Sequence, residues 1–76
     1  MEEALKTIIS SLVSDVDAVS ISQREEENIT IFEVKVAEGD MGKVIGKEGR
    51  IAKAIRTIMK ALASKENKKI SIEFIG

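Results

Sequence analysis

Seventy-six residues allow one small domain, a size that buries only about 60% of its unfolded surface. The chain has no cysteine and no histidine, which leaves no disulfide and no thiolate or imidazole metal site to support the fold or supply chemistry. Its net charge of −1 hides an asymmetry: residues 1–40 carry three basic and ten acidic side chains, residues 41–76 nine basic and three acidic, balances of −7 and +6. A split of this kind points to a polyanion partner, or to mutual attraction of the two halves within the fold.

In chain order, residues 3–14 (EALKTIISSLVS) place Leu5, Ile8, Ile9 and Leu12 on one face and predict an amphipathic helix. Asp17–Arg24 alternates Val19 and Ile21 with Ser20 and Ser22, the pattern of a half-buried strand. Glu25 to Asn28 read as a polar turn, and Ile29–Val36 (ITIFEVKV) as the second strand of an antiparallel hairpin, with Phe32, Val34 and Val36 on one face. Asp40 is placed to cap a short helix, Met41 to Ile45. After GKEG comes a longer helix, Arg50 to Ser64, and Asn67 leads to a last strand, Lys69–Ile75. The order α-β-β-α-α-β implies an α+β domain of two layers, with three helices on one face of a three-stranded mixed sheet. The last strand returns after a helical excursion, so it is expected parallel to the second strand, which lies in the centre. Residues 1–76 form a single domain in this reading, and without a 20-residue apolar run or a leader-like start the chain is read as cytosolic.

The run GKVIGKEGRIAKAI, residues 42–55, carries the chemistry. Gly46 can take left-handed angles that end the first helix, and Gly49 leaves the start of the next helix unobstructed. Free N–H groups at that start, with Lys43, Lys47 and Arg50, suit an anion and not a metal cation. A Walker loop is excluded because Gly42 and Gly46 enclose three residues, and Glu48 follows Lys47 where Ser or Thr is required. A dinucleotide fingerprint is excluded by spacing as well. On the following helix, Ile51, Ile55, Ile58 and Leu62 are expected as the core stripe, opposite Lys53, Arg56 and Lys60. No acid occurs from Arg50 to Ser64, whereas a solvated helix face ordinarily mixes signs. Ala52, Met59 and Ala63 on one side and Ala54 and Ala61 on the other widen the apolar arc to roughly 200°, enough for a self-association surface beside the core.

These residues resemble the V-I-G-x-x-G-x-x-I core of KH domains, in which a GxxG loop joins two helices and clamps four nucleotides of single-stranded RNA. The helix and hairpin before the motif and the strand after it resemble the type II arrangement. Within the family the chain is most similar to the small bacterial KH proteins called KhpA. The resemblance implies an RNA-binding protein, an RNA chaperone or post-transcriptional regulator, that forms homodimers and pairs with the larger KH protein KhpB. It implies no enzyme, and no cofactor or metal. Gly46, Lys47, Glu48 and Gly49 would run against the sugar–phosphate backbone, bordered by Lys43, Arg50 and Lys53. Ile45 and Ile51, with Val44, would flank the loop, and the last strand from Ile70 to Phe74 would close the groove. Met59, Ala61 and Leu62 are the expected dimer contacts. Glu48 departs from the basic or neutral residue common at its place, and is expected to cap the Arg50 helix or to restrain non-specific binding. The alternative is a KH-fold adaptor that acts mainly through dimerisation.

Overall fold

A computed structural model describes residues 1–75. Helix α1 (Glu2–Leu12) is followed by strands β1 (Ser20–Glu26) and β2 (Ile29–Lys35), helices α2 (Met41–Ile45) and α3 (Arg50–Lys65), and strand β3 (Lys69–Ile75). The sheet order is β1-β2-β3, with β1 antiparallel and β3 parallel to the central β2. This is the expected two-layer α+β arrangement. The KH-type order of elements is preserved throughout.

Local chemistry explains the boundaries. The hairpin turn is only Glu27-Asn28, with φ of 49° and 69°. Two consecutive positive φ values match the right-handed strand twist, so Glu25 and Glu26 remain in β1 instead of joining the turn. At its other end β1 begins later than the alternation implied, because Val16–Ala18 coil into a single 3-10 turn. Helix α1 stops at Leu12, where Val13 turns to extended angles. At the end of α3, Asn67 takes φ 57°, its N–H donates to Ser64 at 3.0 Å, and the Lys68 N–H donates to Ala63 at 2.9 Å. These bonds close the helix in the manner of a Schellman cap, with asparagine in the left-handed place.

The register puts Ile21, Phe32, Val34, Ile70, Ile72 and Phe74 on the sheet face beneath the helices. There Phe32, Val34, Ile70 and Ile72 join Leu5 and Ile9 of α1, Val44 of α2 and Ile55, Met59 and Ala63 of α3 in one core. The opposite sheet face carries Arg24, which pairs with Glu26 (2.8 Å), Glu33 and Glu73 (3.6 Å).

The seating of α3 corrects the expected stripe. Ile58, expected in the core, is 50% exposed, whereas Met59, expected at a dimer contact, is completely buried. The buried line runs Ala52, Ile55, Met59, Ala63. Alanines at two of these four positions allow the helix axis to approach the sheet closely. A line through Ile51, Ile58 and Leu62 would hold it farther away.

Asp40 stands at the N-cap position of α2 but makes no capping bond to that helix. Its carboxylate accepts the backbone N–H of Asp15 at 3.0 Å and pairs with Lys43 at 3.1 Å, tying the α1–β1 connection to α2. The N–H groups of Asp15 and Ser14, and then the Lys43 ammonium, hold the carboxyl below its ordinary value of 3.8. A depressed folded-state pKa means that stability is gained above the unfolded value and lost as pH falls through the folded one. Asp40→Asn should therefore be less stable than the parent near pH 6, with the gap closing below about pH 4. Urea unfolding across that range tests it; a gap independent of pH would show that the charge of Asp40 is not what ties these segments.

Candidate nucleic-acid interface

The loop is built on two glycines with different duties. The Gly46 N–H closes α2 on the Gly42 carbonyl at 2.9 Å, and Gly46 then takes φ 76°, ψ 174°. These angles lie outside the left-handed helical region expected at this residue, in a region open essentially to glycine alone. A Cβ there would stand 2.6 Å from Cγ1 of Ile51, so Gly46 also permits the contact between the loop and the first turn of α3. Lys47–Gly49 then form one 3-10 turn, with the Gly49 N–H donating to the Gly46 carbonyl at 3.2 Å. Glu48 (φ 57°, ψ 24°) and Gly49 (φ 73°, ψ 16°) are left-handed, after which Arg50 enters the helix. A Cβ on Gly49 would meet nothing within 4 Å, so that glycine serves backbone angle and leaves open space outside.

This path exposes Lys47 and Glu48 at the tip, with Arg50 beside them. Glu48 does not cap α3, whose N-cap is Gly49 with no side-chain bond; it lies instead 3.6 Å from Arg50, both side chains largely exposed. Lys43 is engaged by Asp40 and the Ser14 hydroxyl. Ile45 and Ile51 are half-buried at the rim of the core, and Val44 lies inside it. Lys53 is exposed on α3, and among the described residues Lys47, Lys53 and Lys60 have no carboxylate within ion-pair distance.

One residue was misplaced by periodicity. The sequence pattern places Arg56 on the solvated side, yet it is half-buried between α3 and β3. Its Nε donates to the Ile72 carbonyl at 3.2 Å and its guanidinium lies 5.3 Å from the Phe74 ring centroid. A wheel centred on Met59 would have shown it, since Arg56 then lies only about 60° from the middle of the buried line. Lys53 and Lys60, one turn before and after, give α3 a basic flank toward the β3 edge. A cleft of about 380 Å³ continues along that side, lined by Lys60, Ser64, Lys68, Lys69, Ile29 and Ile70. Of the expected dimer contacts, Met59 is inside the core, Leu62 is half-buried and Ala61 is exposed; Ile58 and Ala54 are the apolar residues that emerge on the opposite flank of α3, away from β3.

A GxxG turn between two helices, seated with them on a three-stranded mixed sheet, defines a KH domain. The family model described as "KhpA/KhpB, KH domain" matches residues 2–74, and the chain belongs to that family. The RNA-binding protein KhpA of Clostridium acetobutylicum is 56% identical over 75 residues, which is 99% of this chain and 100% of the relative. The protein of that name from Caldanaerobacter subterraneus subsp. tengcongensis is 52% identical with the same coverage. That of Chlamydia trachomatis is 44% identical, covering 99% of this chain and 96% of its own length.

Gly46→Ala combines a forbidden backbone region with a clash against Ile51 and should cost more than about 2 kcal/mol. Gly49→Ala, strained in backbone alone, should cost about 1 kcal/mol. Urea titrations of the two variants decide it: equal losses would mean that the Ile51 contact does not constrain the loop.

Proposed function

We propose that this chain is a binding module, not an enzyme, that holds single-stranded RNA along the GxxG loop and the groove between α3 and β3. The observation that carries the reading is the loop itself. Two positive-φ glycines bring the backbone to the start of α3 with an open approach at Gly49, and Lys47 and Arg50 stand at its tip. Successive phosphates would lie against Gly46, Lys47, Glu48 and Gly49, near the helix N-terminus, with Arg50 and Lys53 beyond. Lys43, already paired with Asp40, adds field more than direct contact. Bases would rest on the apolar rim at Ile45, toward the β3 edge. The relatives' name, RNA-binding protein, supports the ligand class. An RNA chaperone or post-transcriptional role in the cytoplasm fits a module without catalytic groups, and no helix among the described residues is long and apolar enough to cross a membrane.

The double variant Lys47→Asp, Glu48→Asp should lose single-strand RNA binding while its circular dichroism stays unchanged. With three or four phosphate contacts, the parent's log affinity should fall against log salt with a slope of about −2 to −3. Unchanged binding in the double variant, or a salt-independent affinity, would refute the clamp.

A second surface is supported by the half-exposed Ile58. Together with Ala54, Ala61 and the rim of Leu62, it offers an apolar strip, ending at Lys65, on the side of α3 away from β3. We infer that this strip is where the chain forms a homodimer, or pairs with the larger protein KhpB, whose name the family model shares. Two linked loops would raise avidity through effective concentration without any new RNA contact. Ile58→Glu should convert the dimer to a folded monomer in sedimentation velocity; a dimer that persists removes α3 from the interface.

A further inference from the structure

The charge on the outward face of α3 extends well past the loop. Lys53, Thr57, Lys60 and Ser64 are all exposed, and their spacings of four, three and four residues set them on one ridge of the helix. The ridge is about 16 Å long at the rise of an α-helix, and Lys60 lies about 15 Å along the axis from Arg50. Neither Lys53 nor Lys60 has a carboxylate within ion-pair distance among the described residues. At the far end Lys60 and Ser64 meet Lys68 and Lys69 around the cleft of about 380 Å³, and no acidic side chain lines it.

A surface that holds a single strand needs more than cations, because unpaired bases have to be stacked or covered. The ridge offers little for that purpose. Between its lysines stand the hydroxyls of Thr57 and Ser64. No aromatic side chain lines the cleft, and its two apolar members, Ile29 and Ile70, are half-buried and buried. A double-stranded backbone makes the opposite demand. Its bases are already paired and stacked, and its wide minor groove presents 2′-hydroxyls and phosphates. Lysines attract the phosphates, and serine and threonine hydroxyls donate to phosphate oxygens or accept from 2′-hydroxyls.

We infer that the distal half of α3 is a contact for double-stranded RNA, and that the ligand of this domain is a single-stranded segment joined to a stem. The single strand lies at the GxxG loop, and the stem backbone rests on Lys60, Ser64 and Lys69. Lys68 is shared with Glu66 at 3.6 Å, which leaves Lys60 and Lys69 as the principal cations. Glu25 and Glu27 bound the surface, since they share a second cleft with Lys68 and Lys69 at the hairpin end. The contact carries no sequence preference, because lysine and hydroxyl groups meet the backbone and not base edges. This inference rests on the reading of the loop as a single-strand site.

The test measures fluorescence anisotropy for a single-stranded octamer, for that octamer joined at either end to a short hairpin stem, and for a single strand of the joined RNA's full length. The parent should bind one of the two joined RNAs about tenfold more tightly than the octamer, through the effective concentration of the second contact. Only one end should gain, because the ridge leaves the loop in one direction. The log affinity of that RNA should also fall more steeply with log salt, by about 2 in slope for two added lysine contacts. Lys60→Gln combined with Lys69→Gln should bind the octamer like the parent and lose both the gain and the extra slope. A full-length single strand that matches the joined RNA would overturn the inference, since the patch would then hold an unpaired strand. Equal affinity for the octamer and both joined RNAs would overturn it and leave the loop reading intact, the result expected if the ridge meets an acidic protein or solvent alone. So would a gain that survives the double substitution. Failure of the parent to bind the octamer would overturn the single-strand reading as well.

Discussion

The junction of α2 and α3 depends on a single close approach. Ile51 occupies the space that a side chain on Gly46 would require, with 2.6 Å between Cγ1 and that missing Cβ. This contact brings the first turn of α3 against the end of α2 and leaves a three-residue turn to connect them. The rest of the candidate site follows from that compression. Glu48 and Gly49 must reverse the chain with left-handed angles, which turns Lys47 and Glu48 outward. A longer or looser connection would close α2 without holding backbone and cations together at the start of α3.

Below the loop, α3 links the ligand side to the core. Ala52, Ile55, Met59 and Ala63 seat it on the sheet, and the small residues in that line bring the helix close enough for Arg56 to reach the β3 backbone. Burial and the proposed binding surface therefore share one rotation of one helix. The same rotation that buries Met59 turns Ile58 into solvent on one flank and sets Lys53, Arg56 and Lys60 on the other. Acidic residues of the N-terminal half lie elsewhere. Glu26 and Glu33 surround Arg24 on the uncovered sheet face, and Glu25 and Glu27 line a cleft at the hairpin end. The charge split in the sequence is thus partly neutralised within the fold, at Asp40–Lys43 and where Lys68 and Lys69 share the cleft with Glu25 and Glu27, while Lys47, Lys53 and Lys60 stay clear of carboxylates among the described residues.

How much of this was legible depended on whether the cause was local. The bounds of α2 and β3 and the centre position of β2 could be read from glycine chemistry, period-two alternation and the length of the helical excursion. The GxxG loop could be read for the same reason, since its backbone demands are met by residues within the loop. The rotation of α3 could not. Ile51, Ile58, Met59 and Leu62 are all apolar, and hydrophobicity alone does not reveal that the sheet accepts Ala52 and Ala63 beneath the helix. Asp40 shows the limit in another form. It has the right residue type for a cap, but its carboxylate is taken by Asp15, twenty-five residues earlier in the chain. Arg56 likewise gained its role from a strand sixteen residues later.

Glu48 is best understood through the bond it makes rather than the cap it does not. In the left-handed region it incurs roughly 1–2 kcal/mol of backbone strain that glycine would avoid. Its partner is Arg50 at 3.6 Å, and an ion pair this exposed contributes at most about 1 kcal/mol. Such a pair holds Arg50 near the loop and would yield to a phosphate in the proposed binding mode, since a phosphate offers stronger charge-assisted bonds to the same guanidinium. Glu48 would then remain close to the incoming anion and oppose it. On the proposed binding mode, the loop would therefore attract RNA only weakly by charge. Tight retention would come from elsewhere, above all from the second loop that the proposed dimer through Ile58 would add.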